Sequence, residues 1–169
     1  MTDRPRLTPA IADVRRAVRE SWDASGVVAG DLVLVACSGG PDSLALAAAV
    51  AFEAPRAGIS AGAVIVEHGI QAITKDVAAR TAEVLRTLGL DPVQVAHVSV
   101  GEAGGPEAAA RAARYEALDE AAAALDAKVV MLGHTLDDQA ETVMLGLARG
   151  SGPRAVNGMA VHAGRYLRP

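Results

Sequence analysis

The sequence predicts an α/β fold, a Rossmann-like parallel sheet in three layers with helices on both faces. Three observations carry that prediction. Four short apolar segments, at 32–37, 61–67, 93–98 and 128–132, are rich in valine and too short to be helices. Longer stretches with apolar residues at helical spacing lie between them, and that alternation builds right-handed βαβ units and a parallel sheet. Each strand also ends in polar or glycine-rich sequence: Ser38 to Ser43, Glu67 to Gln71, Ser99 to Gly105, and His134 to Asp138. In open sheets of this class the ligand lies at the carboxyl ends of the strands, where strand order reverses.

In chain order, Thr8 is placed to cap a helix with Pro9 at its first position. Ile11, Val14, Ala17, Val18 and Trp22 mark one face, and Gly26 ends it. The first strand is Leu32 to Cys37, followed by the Ser38–Ser43 loop and a helix from about Ser43 to Ala54. Ala61 to Glu67 is the second strand. Thr74 opens a helix that runs to Leu88 and closes on Gly89. Asp91-Pro92 turns into a third strand, Val93 to Val98. Pro106 starts an alanine-rich helix through about Leu125, and Lys128 to Leu132 is the fourth strand. A last helix runs from near Leu136 to Ala148, and residues 149–158 read as loop.

With 169 residues, the chain can bury one good core and is too short for two comfortable domains. An apolar content of 51% with 21% charged residues marks a globular chain, and no apolar run reaches the length of a membrane span. The N-terminus leads into an amphipathic stretch rather than a signal-peptide core, which points to the cytoplasm. Cys37 is the only cysteine, so internal disulfides and cysteine-rich zinc sites are excluded. It reads as a buried, reduced thiol. Charge is uneven within a net of −4. Residues 142–169 carry Arg149, Arg154, Arg165 and Arg168 and no acid, so residues 1–141 sum to −8. That basic end admits two readings, contact with a phosphate backbone or a solvated tail, and taken alone it reads as the second. Only Trp22, Phe52, Tyr115 and Tyr166 are aromatic, too few for a base-stacking platform.

The richest stretch is Val33-Leu-Val-Ala-Cys-Ser-Gly-Gly-Pro-Asp-Ser-Leu-Ala-Leu46. A strand turning through glycines directly into a helix aims backbone N–H groups and the helix's positive end at one point, an anion cradle suited to phosphate. Gly39 and Gly40 let a ligand approach because no Cβ intervenes, while Ser38 and Ser43 add hydroxyls, and Ser43 is also placed to cap the helix. No lysine follows the glycines, so this is not a Walker A loop. It carries Asp42 instead, which repels phosphate unless a divalent cation stands between them.

The segment Gly133-His-Thr-Leu-Asp-Asp-Gln-Ala-Glu-Thr142 is second in interest. Asp137, Asp138 and Glu141 fall in the first turns of a helix, and at spacings of three and four they can share a face. As residues they admit two readings: acids complementing a helix dipole, or ligands for Mg²⁺ or an ammonium group. Arg111 and Arg114 stand one turn apart, opposite a mostly alanine face, and alone read as solvated surface.

Ser-Gly-Gly-Pro-Asp-Ser resembles the pyrophosphate loop of the N-type ATP pyrophosphatases, or PP-loop superfamily, which split ATP to AMP and pyrophosphate while activating a carbonyl. Within it, Glu67-His68-Gly69-Ile70, Glu107 to Arg111 with Arg114-Tyr115, His134 to Thr142, Arg149-Gly-Ser-Gly152 and Asn157-Gly-Met159 resemble the tRNA(Ile)-lysidine synthetase family, in the family's order. The resemblance spans positions 38–159. Two departures stand out: Glu67 where the family usually has aspartate, and Thr135 where it has a second histidine.

The resemblance implies an adenine nucleotide α-hydrolase-like fold and an ATP-dependent ligase that joins lysine to the wobble cytidine of a tRNA(Ile) with a CAU anticodon. ATP, Mg²⁺, L-lysine and tRNA(Ile) are then the expected cofactors and partners, with no membrane, and a homodimer is left open. The implied ATP site is Ser38, Gly39, Gly40, Pro41, Asp42, Ser43, His68 and His134. Arg111, Arg114, Asp138 and Glu141 are the implied catalytic or lysine-binding residues, and Asp42 with Asp137 the Mg²⁺ ligands. Tyr166-Leu-Arg-Pro169 resembles the middle of a family motif, so residues 1–169 are expected to be one PP-loop ATPase domain cut short, without the later tRNA-binding domains. The alternatives are a related tRNA thiolase, for which Cys37 supplies no cysteine pair, and a nucleotide-binding fragment without turnover.

Overall fold

The computed structural model describes residues 8–67, 72–98, 105–133 and 162–169. Helix α1 (Pro9–Ser25) begins as expected, with the Thr8 hydroxyl accepting the Ile11 N–H at 3.4 Å and Gly26 closing it in the left-handed region. Strands β1 (Leu32–Ala36), β2 (Ser60–Glu67), β3 (Val93–His97) and β4 (Val129–Leu132) alternate with α2 (Pro41–Ala57), α3 (Ala72–Thr87) and α4 (Pro106–Ala124). Two short strands unforeseen in the sequence, β5 (His162–Ala163) and β6 (Tyr166–Leu167), complete a six-stranded sheet of order β3-β2-β1-β4-β6-β5. All pairings are parallel except β5 with β6.

Period-two alternation along β1 explains the layers. Val33, Val35 and Cys37 face one side and pack with Val18 and Trp22 of α1, Leu46 and Val50 of α2, and Ala82 and Leu85 of α3. Leu34 and Ala36 face the other side and meet Val64, Val130, Leu132 and Leu118 of α4. A strand buried on both faces needs a continuous apolar run, which is why 32–37 shows no polar alternation.

Several expectations need correction. Helix α2 starts at Pro41 rather than near Ser43, because Gly40 is the N-cap and proline's fixed φ suits the first position. It also continues past Pro55 to close on Gly58. Ile11 and Val14 are exposed, so only Val18 and Trp22 of the α1 stripe reach the core. The end of the basic segment is no solvated tail: Leu167 is buried, Arg165 pairs with Asp119 at 3.5 Å, and Arg168 donates to the Tyr115 hydroxyl at 3.3 Å. Tyr166 donates to Asp119 at 2.8 Å and meets Tyr115 edge-to-face at 5.0 Å. Burial, then the Asp119 carboxylate, push its phenol well above the ordinary range. The proposed helix 136–148 and the loop 149–158 lie outside the described residues.

One buried charge joins α1 to α2. Glu53 takes both Arg15 and Arg19, while Arg15 and Arg56 stack on the Phe52 ring, each 3.5 Å from its centroid. Burial pushes the Glu53 carboxyl up, but the hydrogen bonds and charges of the two arginines outweigh it and hold the group below its ordinary value of 4.5. A depressed carboxyl stabilises the fold above the unfolded value, and the contribution is lost as pH falls through the folded one. Glu53→Gln should therefore lower Tm at pH 7 by the equivalent of about 1–2 kcal/mol. Between pH 7 and pH 3 the variant's Tm should fall less than that of the unaltered chain; parallel falls would rule out the linkage.

Candidate nucleotide site

Strand order reverses at β1, with β2 and β3 on one side and β4 on the other. The carboxyl ends of β1 and β4 therefore flank a crevice of the kind that holds ligands in such sheets. Only Cys37 to Gly40 connect β1 to α2, and that short span explains the glycines. Gly39 sits at φ +84°, in the left-handed region, and a Cβ there would stand 2.7 Å from the Thr81 hydroxyl of α3. Any side chain is excluded twice over.

The Ser43 hydroxyl holds the loop together. It accepts the Ser38 N–H at 3.2 Å and the Cys37 thiol at 3.4 Å, and donates to the Gly40 carbonyl at 2.9 Å. Its single hydrogen and both lone pairs are thus used inside the loop. Ser43 is the third residue of α2, buried, and not its cap. Ser38, Pro41 and Asp42 are exposed, and the Ser38 hydroxyl meets the Ser43 hydroxyl at 3.3 Å and accepts the Gly40 N–H at 3.4 Å. Asp42 and Ser43 carry first-turn N–H groups that have no partner within the helix, at its positive end. An exposed acid beside free amides suits a metal-bridged phosphate better than a bare one.

Gly133, the residue after β4, touches this turn. A Cβ on it would lie 3.1 Å from Ser43 Cα and 3.2 Å from both Ser43 N and the Asp42 carbonyl oxygen. Gly133 and the first turn of α2 meet backbone to backbone at the switch point. His134 follows Gly133 directly in sequence; it, Asp137, Asp138, Glu141 and His68 lie outside the described residues.

A PP-loop domain family profile matches residues 13–169. The chain belongs to the PP-loop family. It is 59% identical over 161 residues to a tRNA(Ile)-lysidine synthase of Thermobifida fusca, covering 95% of the chain and 49% of the relative. With that of Streptomyces coelicolor it is 61% identical over 149 residues, covering 86% and 42%. This PP-loop chain therefore spans about half the length of the curated relatives it matches. A U34-tRNA thiolase from Methanococcus maripaludis, solved with its [4Fe-4S] cluster, shares the fold at TM-score 0.75 and 20% identity, covering 94% of this chain and 57% of that one.

Arg111 is exposed, its guanidinium 5.3 Å from the Tyr115 ring centroid, and Arg114 is half-buried. Tyr115 thus stands between Arg111 and Arg168 on the α4 side of the sheet. Glu67 is buried at the end of β2, and its carboxylate meets His97 Nδ1 at 2.8 Å. The sequence reading passed over Thr81 and His97. His97 gave one weak signal, as a polar residue inside the mostly apolar 93–98 segment. Thr81 gave none, because its role depends on how α3 packs against the loop. Among the described residues, no helix is long and apolar enough to cross a membrane.

Proposed function

We propose that residues 1–169 form one PP-loop unit that binds ATP within a longer protein which ligates lysine to the wobble cytidine of tRNA(Ile) with a CAU anticodon. The packing of Gly133, the residue before His134 in sequence, on the first turn of α2 is the observation that supports this reading. The names of the similar full-length proteins support the substrate.

In the reaction, the cytosine C2 carbonyl oxygen attacks the α-phosphorus of ATP, and the bond to the bridging oxygen of pyrophosphate breaks. The Asp42 and Ser43 N–H groups and the α2 dipole receive the departing anion, where charge accumulates. Asp42, with Asp137, would hold Mg²⁺, which takes one or two carboxylates alongside substrate phosphates. When bound, the ion neutralises phosphate charge. Ser38 and the backbone of Gly39, Gly40 and Pro41 wall the phosphate side, and His68 and His134 hydrogen-bond the nucleotide. The lysine ε-amine then attacks C2, the bond to AMP breaks, and AMP leaves. Asp138 and Glu141 hold the incoming ammonium, one of them taking its proton as the amine attacks. Arg111, with Arg114 beside it, meets an anionic group, the lysine carboxylate or a phosphate.

Glu141→Gln tests the amine side in the longer protein. Losing one charge-assisted hydrogen bond should raise KM for lysine roughly ten- to a hundredfold and leave KM for ATP nearly unchanged. Equal effects on both substrates would assign Glu141 to metal binding, and no effect would reduce it to a helix-dipole acid.

A further inference from the structure

Glu67 is the last residue of β2, with a side chain only 2% exposed. A carboxylate there requires partners. One comes from the edge strand: Glu67 and His97 are register partners in the β2–β3 pair, and Glu67 Oε2 stands 2.8 Å from His97 Nδ1. His97 is the last residue of β3, and its side chain is 67% exposed. The main chain is tied at the same place, since the Val98 N–H donates to the Glu67 carbonyl at 2.9 Å. Glu67 is thus fixed through both backbone and side chain at the residue immediately before His68.

A contact that only stapled β2 to β3 would serve anywhere along their five paired positions. This one stands at the carboxyl end, the ligand edge of the sheet, where the chain leaves the strand. A glutamate has the reach to cross to the neighbouring strand, and His97 gives it a donor there. We propose that His97 is a positioning residue for nucleotide binding, acting through the Glu67 carboxylate to set the direction in which the chain leaves β2 toward His68. The inference rests on the reading that the crevice binds ATP.

The test is Mg-ATP affinity by titration calorimetry on residues 1–169, with thermal unfolding recorded for each variant. His97→Ala should weaken ATP about fivefold, less than a fully buried hydrogen bond to a charge would, because water can partly replace an exposed donor. His97→Asn, whose amide nitrogen can stand where Nδ1 does, should restore most of that affinity. Glu67→Gln combined with His97→Ala should cost little more than the worse of the two alone. Equal weakening in His97→Ala and His97→Asn, additive effects in the double variant, or unchanged affinity in His97→Ala would each overturn the inference while leaving the nucleotide reading intact. Absence of ATP binding by the unaltered chain would overturn both. Should His97→Ala unfold, Glu67→Gln still decides it: a folded Glu67→Gln chain with unaltered affinity would contradict it.

Discussion

Asp42→Asn is expected to leave the fold in place and lower Mg²⁺-dependent pyrophosphate release by at least about a hundredfold in the longer protein. Asp42 is exposed at the second position of α2. Removing its charge costs only the interaction with the helix dipole, about 0.3–1 kcal/mol. Its chemistry is another matter. A carboxylate beside the Asp42 and Ser43 amides repels phosphate unless a cation intervenes, so the substitution removes both the cation's ligand and the repulsion. ATP binding without Mg²⁺ should therefore strengthen in Asp42→Asn while Mg²⁺-dependent turnover collapses. Measuring affinity with and without the metal, and pyrophosphate release beside it, separates the two terms. Weaker ATP binding in both conditions would show that Asp42 acts by shaping the loop instead.

Gly133→Val should abolish ATP binding at a moderate cost in stability. Even a single Cβ at Gly133 would press on Ser43 Cα, Ser43 N and the Asp42 carbonyl at 3.1–3.2 Å. All three are backbone atoms at the start of a 17-residue helix, so they cannot swing aside as a side chain can. A branched side chain must push β4 and α2 apart, at about 1–3 kcal/mol, and displace the first-turn amides that face the crevice. Gly133→Ala should show a smaller loss of both. ATP titration with Tm measurement checks this; a folded Gly133→Val chain with ordinary ATP affinity would remove the crevice from the binding site.

The parallel sheet was legible because buried strands announce themselves. Leu32 to Cys37 and Lys128 to Leu132 are short, apolar and bounded by turn residues, which leaves little else for them to be. The caps of α1 were equally readable, since Thr8, Pro9 and Gly26 each act through local chemistry. The strand-to-helix turn at Ser38–Ser43 was readable for the same reason: the φ of +84° at Gly39 is a local fact.

What escaped depends on contacts between distant segments. β6 is only two residues long, and Tyr166-Leu167 becomes a strand by lying beside Val130 and Met131, with no pattern of its own. Ser43 reads as a cap from sequence because serine favours caps; Pro41 and Gly40 take the helix start, and the hydroxyl turns inward to the loop. The partner of Glu67 is 30 residues away, so the pair becomes visible only once β2 and β3 are in register. The resemblance supplied roles for His68, His134, Asp137, Asp138 and Glu141, all of them outside the described residues.

Nucleoside analysis of the RNA product tests the central claim most directly. A protein of the relatives' length carrying this chain is incubated with ATP, Mg²⁺, L-lysine and tRNA(Ile) bearing a CAU anticodon, and the wobble nucleoside is identified by mass spectrometry. The account predicts lysidine at that position, formed only when ATP and lysine are both present. Unmodified cytidine after incubation with folded, ATP-binding protein would contradict it.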